Sequence, residues 1–230
     1  MGTYGGGVLR RKAPELDRET LKAPVYFDFE SLMELWRHWK ICNPAGVDGW
    51  EQAKVNRIDT SSDEFVADVH LNESVLVSRN FEEPVEWSAL DELEPPILDM
   101  SQQKDPYLTF DYAYARKKER NPGYRDTFDL QYSLDDGRHW HLLWGKRGSH
   151  LYTAEATEKR FVPKTGDWKT IVIPFPQGTG KKRVLFKFST YGPKMTNDLW
   201  FDKFGVGDIK RDILRIHDGT WPTEVLPQTP

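Results

Sequence analysis

Apolar and polar residues alternate with a period of two along residues 107–115, 127–133, 168–173, 183–189 and 199–206. This period is typical of β-strands with one face against a core, and Val, Ile, Tyr, Phe and Trp, which favour strands, dominate these segments. Gly, Pro and Asp turns separate them. The pattern therefore predicts an all-β fold, an antiparallel β-sandwich of the jelly-roll type.

The first half of the chain carries weaker signals. Residues 25–30 and 50–55 alternate like strands, 75–77 are apolar, and 32–39 repeat apolar positions at the spacing of a short N-terminal helix. Two prolines make 94–100 an extended edge segment. We predict three regions: an extended or flexible arm at 1–24, the jelly-roll β-sandwich domain at 25–206, and a C-terminal extension or linker at 207–230.

A single Asp-box pattern, S-x-D-x-G-x-x-W, joins segment 127–133 to a returning strand. Its residues are Ser133, Asp135, Gly137 and Trp140. Asp135 is expected to accept backbone N–H groups, Gly137 to take a positive φ, and Trp140 to pack beneath the turn. The motif predicts a tight hairpin with a structural role, and one copy without a repeat period argues against a propeller.

Composition narrows the function classes. With 32 Lys and Arg against 36 Asp and Glu, the formal net charge is −4, which argues against nucleic acid as a partner. No apolar run reaches the length of a transmembrane helix, and no export signal is visible in the sequence. The one cysteine, Cys42, cannot form an intrachain disulfide, and no catalytic signature accompanies it.

Carboxylates beside aromatic residues suggest a cation site. Asp28, Glu30 and Asp202 lie in the first and last segments of the sandwich, which can neighbour each other in a jelly roll. Calcium takes carboxylate and carbonyl oxygens, so these side chains are candidate ligands. His139 and His141 are two residues apart, but no third ligand accompanies them at a recognisable spacing. Partly exposed strand histidines are the commoner case.

The chain resembles the cleaved-adhesin, or choice-of-anchor J, domains of Bacteroidetes surface and secreted proteins. The motifs that carry the resemblance are YLTFDYAYA at 107–115, DTFDLQYS at 126–133, FVP at 161–163, DWKT at 167–170 and NDLWFDKF at 197–204. The resemblance implies a calcium-stabilised jelly roll located extracellularly or at the cell surface. It favours Glu30 and Asp202 as ligands of Ca²⁺, with Asp28 and Asn80 as further candidates.

We predict a non-catalytic binding or adhesion module for a glycan or a protein, with aromatic platforms at Trp50, Trp87, Trp144 and Tyr152. Exposure of these rings on one sandwich face would support this function. The alternatives are a structural or assembly subunit, whose ends wrap the other domains or proteins of a larger surface or secretion complex, and a glycoside hydrolase or other hydrolase. The 36 acidic residues make carboxylate pairs uninformative as evidence for catalysis.

Overall fold

The computed structural model describes residues 19–30, 37–42, 49–56, 72–79, 89–118, 126–192, 197–208 and 224–225. The described residues form short strands connected by turns and three 3-10 turns, so the fold is all-β as the sequence predicts. The strands are β1 (Thr20–Lys22), β2 (Val25–Phe27), β3 (Lys40–Cys42), β4 (Trp50–Asn56), β5 (Asn72–Ser78), β6 (Ala89–Glu94), β7 (Ile97–Asp99), β8 (Pro106–Tyr114), β9 (Thr127–Ser133), β10 (His141–Arg147), β11 (Lys169–Pro174), β12 (Leu185–Gly192), β13 (Leu199–Asp208) and β14 (Glu224–Val225).

Two sheets form the sandwich. One has five strands in the order β10-β9-β12-β6-β3, and the other has seven in the order β14-β11-β8-β13-β5-β4, with β2 also paired to β13. Neighbouring strands within these sheets are antiparallel except β11 and β14, while β1 and β7 form a separate parallel pair. The prediction of a mainly antiparallel β-sandwich is therefore confirmed.

The core between the sheets is largely aromatic. Phe110 and Phe201 come from the seven-stranded sheet, and Phe128 and Phe188 from the five-stranded sheet; all four are fully buried. Their ring centroids lie 4.7 to 6.3 Å apart, mostly in tilted or edge-to-face arrangements. Aromatic rings bury large areas and gain from such geometry, which explains how a chain with 38% hydrophobic residues builds one core.

The outer faces of the two sheets differ. Every residue of β8 is buried, so both faces of this strand are covered. On the outer face, Ala113 and Trp200 pack with Phe161 and Trp168, which come from the long connection between β10 and β11. The five-stranded sheet instead keeps exposed and half-buried side chains on its outer face, and this is where a ligand can reach the sheet.

Some predicted segments coincide with strands, and strands also occur in the two terminal regions that were predicted to be extensions. The segment 127–133 coincides with β9, and the Asp-box hairpin joins it to β10 as predicted. The predicted arm and C-terminal extension contain β1 and β14, which pair with β7 and β11. Residues 31–36 of the predicted helix lie outside the described residues, whereas Arg37 and His38 have helical conformation.

Candidate functional site

A cleft of about 570 Å³ opens on the outer face of the five-stranded sheet. This volume lies within the range of small-molecule sites in proteins. Strands β6, β9, β10 and β12 supply the lining. The lining residues are Leu90, Glu92, Thr127, Asp129, Gln131, Arg147, Lys187, Ser189 and Tyr191.

Strand register places small residues in the central row of the cleft. Gly145 lies opposite Asp129, Asp129 opposite Ser189, and Ser189 opposite Glu92. Side chains of directly paired residues lie on the same face of a sheet, so these four cross the sheet in one line. Gly145 and Ser189 have small side chains. This row therefore projects little from the sheet and leaves space above it, between the longer side chains on either side.

Charged groups of both signs line the cleft. Lys187 Nζ lies 2.8 Å from Glu92 Oε1, and Arg147 Nη2 lies 3.7 Å from Asp129 Oδ2. Lys187 also lies over the ring of Trp140, 4.7 Å from its centroid. The two cations balance the two carboxylates, so the lining offers donors and acceptors without a strong net field.

Asp129 occupies an unusual position within this lining. Its side chain is 19% exposed, yet its Oδ1 atom is buried and has no hydrogen-bond partner among the described residues. Burial raises the pKa of the Asp129 carboxyl group, and the nearby charge of Arg147 acts in the opposite direction. Buried acceptors in proteins are nearly always bonded, so this atom requires an explanation.

Tyr191 and Leu90 give the cleft an apolar side. They lie opposite each other on β12 and β6, and 45% and 37% of their respective surfaces are exposed. The Thr127 hydroxyl donates a hydrogen bond of 3.0 Å to the Tyr191 carbonyl, which ties β9 to β12 beside the ring. The cleft therefore combines an accessible aromatic ring with charged and hydroxyl groups.

The Asp-box hairpin lies next to the cleft and has the geometry that its residues predict. Ser133 Oγ donates to Asp135 Oδ1 at 2.8 Å and accepts from the Gly137 N–H at 2.9 Å, while Asp135 accepts from the His139 N–H at 2.9 Å. Gly137 has a φ of 80°, and the indole of Trp140 packs against it. Hydrogen bonds from the backbone and ring of His139 and from Ser133 hold the Asp135 pKa well below its usual range. These contacts give the motif a structural role.

The two histidines beside the hairpin contact other groups. His139 Nδ1 lies 2.5 Å from Asp135 Oδ2, and the His141 ring packs on Tyr132 with centroids 5.3 Å apart.

Three of the predicted aromatic platforms, Trp50, Trp144 and Tyr152, do not line the cleft. Trp50 and Trp144 are 3% and 5% exposed and pack against Phe128 in the core. A ring that is covered on both faces cannot stack on a ligand, so these two predictions require correction. Tyr152 is half-buried against Tyr114, with centroids 6.0 Å apart. Trp87 lies outside the described residues.

Three of the predicted calcium ligands, Glu30, Asp28 and Asp202, lie around the junction of β2, β5 and β13. Glu30 Oε1 accepts from the Ser74 N–H at 2.8 Å, and Asp28 Oδ1 accepts from the Glu30 N–H at 3.2 Å. Asp202 is buried on β13, between its pairing with β5 and its pairing with β2. Within the described part of the chain, no three or more His, Cys, Asp or Glu side chains group closely enough to hold a metal ion. Asn80 is outside that part.

No protein-family model matches the chain, and no curated protein matches it. Solved structures with similar folds include two cleaved adhesin domains of Lys-gingipain from Porphyromonas gingivalis. The K1 domain has a TM-score of 0.47 and 16% identity over 81% of this chain and 98% of that domain. The K3 domain has a TM-score of 0.45 and 15% identity over 74% and 91%.

A carbohydrate-binding module is also among the similar structures. The CBM27-1 module of Caldicellulosiruptor saccharolyticus, solved in complex with mannohexaose, has a TM-score of 0.46 and 13% identity over 81% of this chain and 97% of that module. These similarities concern the fold. Within the described residues, no helix has the length and hydropathy of a membrane span.

None of the residues that line this cleft was among the sequence-predicted site residues. Most of its lining residues are polar residues at alternate positions of β6, β9 and β12, and only strand register brings them together. The signal that was available is the outward alternation of Thr127, Asp129 and Gln131 on one strand and of Lys187, Ser189 and Tyr191 on another.

Proposed function

We propose that the chain is a non-catalytic carbohydrate-binding module and that an oligosaccharide occupies the cleft on the five-stranded sheet. The observation that carries the proposal is the open sheet face with an exposed tyrosine beside paired acids and bases. The location of the binding surface follows from the cover over the other sheet, because Phe161 and Trp168 occupy the corresponding outer face there.

The lining chemistry suits a neutral, hydroxyl-rich ligand. A hydroxyl group both donates and accepts, so it can bond to the carboxylates of Asp129 and Glu92 and to the cations of Arg147 and Lys187. The ring of Tyr191 offers an apolar face for the C–H surface of a sugar. Because the two cations of the lining are balanced by two carboxylates, the cleft has no net positive charge to attract an anionic polymer.

The test is a binding titration with mannohexaose, xylohexaose and β-1,4-galactotriose, followed by a wider glycan array. Tyr191→Ala should weaken binding at least about tenfold, which corresponds to roughly 1.4 kcal/mol. Tyr26→Ala is the matched control, since Tyr26 is 39% exposed but lies on β2, in the other sheet. Equal affinity of Tyr191→Ala and wild type would reject the cleft as the binding site.

The same samples distinguish binding from hydrolysis. Glycosidases use a pair of carboxyl groups, and Asp129 and Glu92 form such a pair in the cleft, two strands apart with about 10 Å between their Cα atoms. The raised pKa of Asp129 is also a property of catalytic acids. Chromatography of each sugar after prolonged incubation would reveal shorter products if the cleft were catalytic. We expect the sugars to remain intact.

We also propose that calcium stabilises the junction of β2, β5 and β13. The carboxylates of Glu30 and Asp202 are ligands of the kind that calcium takes, and backbone carbonyl oxygens would supply the rest of the set. Phe29 and Lys203, the neighbours of Glu30 and Asp202, have φ values of 58° and 53°, a conformation that non-glycine residues keep only where their surroundings enforce it.

Thermal unfolding with calcium and with chelator tests this second proposal. A ligand at a hundredfold excess over its Kd stabilises the folded state by about 2.7 kcal/mol. Calcium should therefore raise the Tm of the wild type, and Glu30→Gln or Asp202→Asn should remove the increase. An identical Tm with millimolar calcium and with chelator would count against the site.

We also propose that the module works outside the cell or on its surface and binds glycans of another cell or of the surrounding matrix. Antibody labelling of intact cells, compared with permeabilised cells, tests this location. Labelling only after permeabilisation would reject it.

A further inference from the structure

At the β10 end of the cleft, the buried Oδ1 atom of Asp129 has no hydrogen-bond partner among the described residues, and the proposed function does not yet explain it. Here Asp129 Oδ1 lies against the backbone of Gly145. Resting on the proposed carbohydrate binding, we infer that Asp129 Oδ1 is the acceptor for a sugar hydroxyl group at a subsite formed with Gly145, and that binding requires the ionised carboxylate.

The first argument is the unmet hydrogen-bonding capacity of Asp129. Its Oδ1 atom has no donor within the described part of the chain, and Arg147 Nη2 lies 3.7 Å from the other oxygen, beyond an ordinary hydrogen bond. The paired residue on β12, Ser189, gives no hydrogen bond to this atom either. This oxygen is buried beside the cleft and has no protein donor, so it can accept a hydroxyl hydrogen bond from a ligand once a neighbouring side chain moves aside.

The second argument is that the subsite depends on glycine. A Cβ atom at position 145 would lie 2.3 Å from Asp129 Oδ1 and 3.3 Å from its Cγ. Any other residue at position 145 would therefore displace the carboxylate from its present position. The Cβ position also lies 3.6 Å from Leu142 Cδ1, and Leu142 is 57% exposed, so few contacts hold this side chain beside the subsite. The proposed subsite requires this side chain to rotate away from Asp129 when a ligand binds.

The surrounding charges define the pH dependence. The charged groups in the lining are Arg147 on β10, Lys187 on β12 and Glu92 on β6, and Lys187 is already paired with Glu92. Burial raises the pKa of Asp129. Because a hydroxyl donates better to the ionised carboxylate, affinity should be full at neutral pH. It should fall as the pH drops through a range above the ordinary value for aspartate of about 3.9.

Ionisation of Asp129 should affect folding stability and sugar affinity in opposite directions as the pH changes. A carboxyl group whose folded-state pKa is raised holds its proton more tightly when folded, so the folded state loses stability as the pH rises through that range. Asp129→Asn removes this cost. The variant should have a higher Tm than wild type at pH 7, and the difference should vanish below about pH 4.

The test uses full-length Asp129→Asn and Gly145→Ala with the three oligosaccharides named above. Both variants should weaken sugar binding at least about tenfold, and the pH dependence of binding between pH 7 and 4 should disappear in Asp129→Asn. Gly166→Ala is the control for Gly145→Ala, because no atom lies within 4 Å of a Cβ placed there. The Gly145→Ala change displaces only the end of a side chain, so the variant should stay folded.

Three results would overturn the inference. If wild type binds a sugar and both variants bind it equally well, the subsite is wrong while the cleft remains the site. If Asp129→Asn lowers the Tm at pH 7, the carboxylate has a structural role instead. If the folded wild type binds none of the sugars on the array, the proposed function fails, and the subsite fails with it.

Discussion

Substitution of Trp144 distinguishes a core residue from a ligand platform. Loss of a core residue lowers the Tm, whereas loss of a platform lowers sugar binding with little change in Tm. The ring centroid of Trp144 lies 5.2 Å from Phe110 and 5.6 Å from both Tyr112 and Phe128, all of them fully buried. Truncating a buried tryptophan to alanine costs about 3–5 kcal/mol. Because domains of 150–250 residues lose about 2–4 °C of Tm per kcal/mol, Trp144→Ala should lower the Tm by roughly 6–20 °C.

Differential scanning calorimetry of wild type, Trp144→Ala and Trp144→Phe provides the measurement. The phenylalanine variant keeps an aromatic ring in the cluster and removes an indole Nε1 that is buried without a hydrogen-bond partner among the described residues. Its Tm should fall much less than that of the alanine variant. A Trp144→Ala protein that melts within about 2 °C of wild type but no longer binds sugar would refute the core assignment and restore the platform interpretation.

Three further predictions concern the hairpin and a buried carboxylate. Gly137→Ala should cost about 1–2 kcal/mol because φ is 80° at this position, whereas Gly166→Ala should change the denaturant midpoint little. Asp135→Asn should lower the Tm at pH 7, because the hydrogen bonds that lower the Asp135 pKa stabilise the ionised carboxylate. The difference in Tm should shrink as the pH falls from about 4 to 2 and the carboxylate is protonated. Asp198 is fully buried and lies 3.1 Å from Arg79 Nη1, so Asp198→Ala should cost about 3–5 kcal/mol in a urea titration.

The strands could be predicted where local pattern and turn chemistry agree. Segment 127–133 alternates cleanly and ends at an Asp box, and it coincides with β9. The burial of both faces of β8 could not be predicted in the same way. Its outer face contacts Phe161, about fifty residues away in sequence, and no local pattern encodes a contact between a strand and a distant connection.

The candidate site was harder to predict than the fold because aromatic residues serve two purposes. Large rings are natural ligand platforms, and they also fill cores. With nine tryptophans in the chain, ring identity alone does not separate the two roles. Tyr191 does contact the cleft, but nothing in its immediate sequence distinguishes it from the buried Tyr112 and Tyr114.

The irregularity in β10 explains why the tryptophan lies inside and the cleft is open. His141 pairs with Tyr132 and Leu142 with Gln131, so an unbroken register would place Trp144 opposite Asp129, facing outward. A bulge between Leu142 and Trp144 shifts the pairing by one residue, which exchanges the two faces of the strand. Trp144 therefore pairs with Leu130 and enters the core, and Gly145 lies opposite Asp129 instead. One inserted residue thus fills the core with the indole and leaves above Asp129 the space in which we propose that a sugar binds.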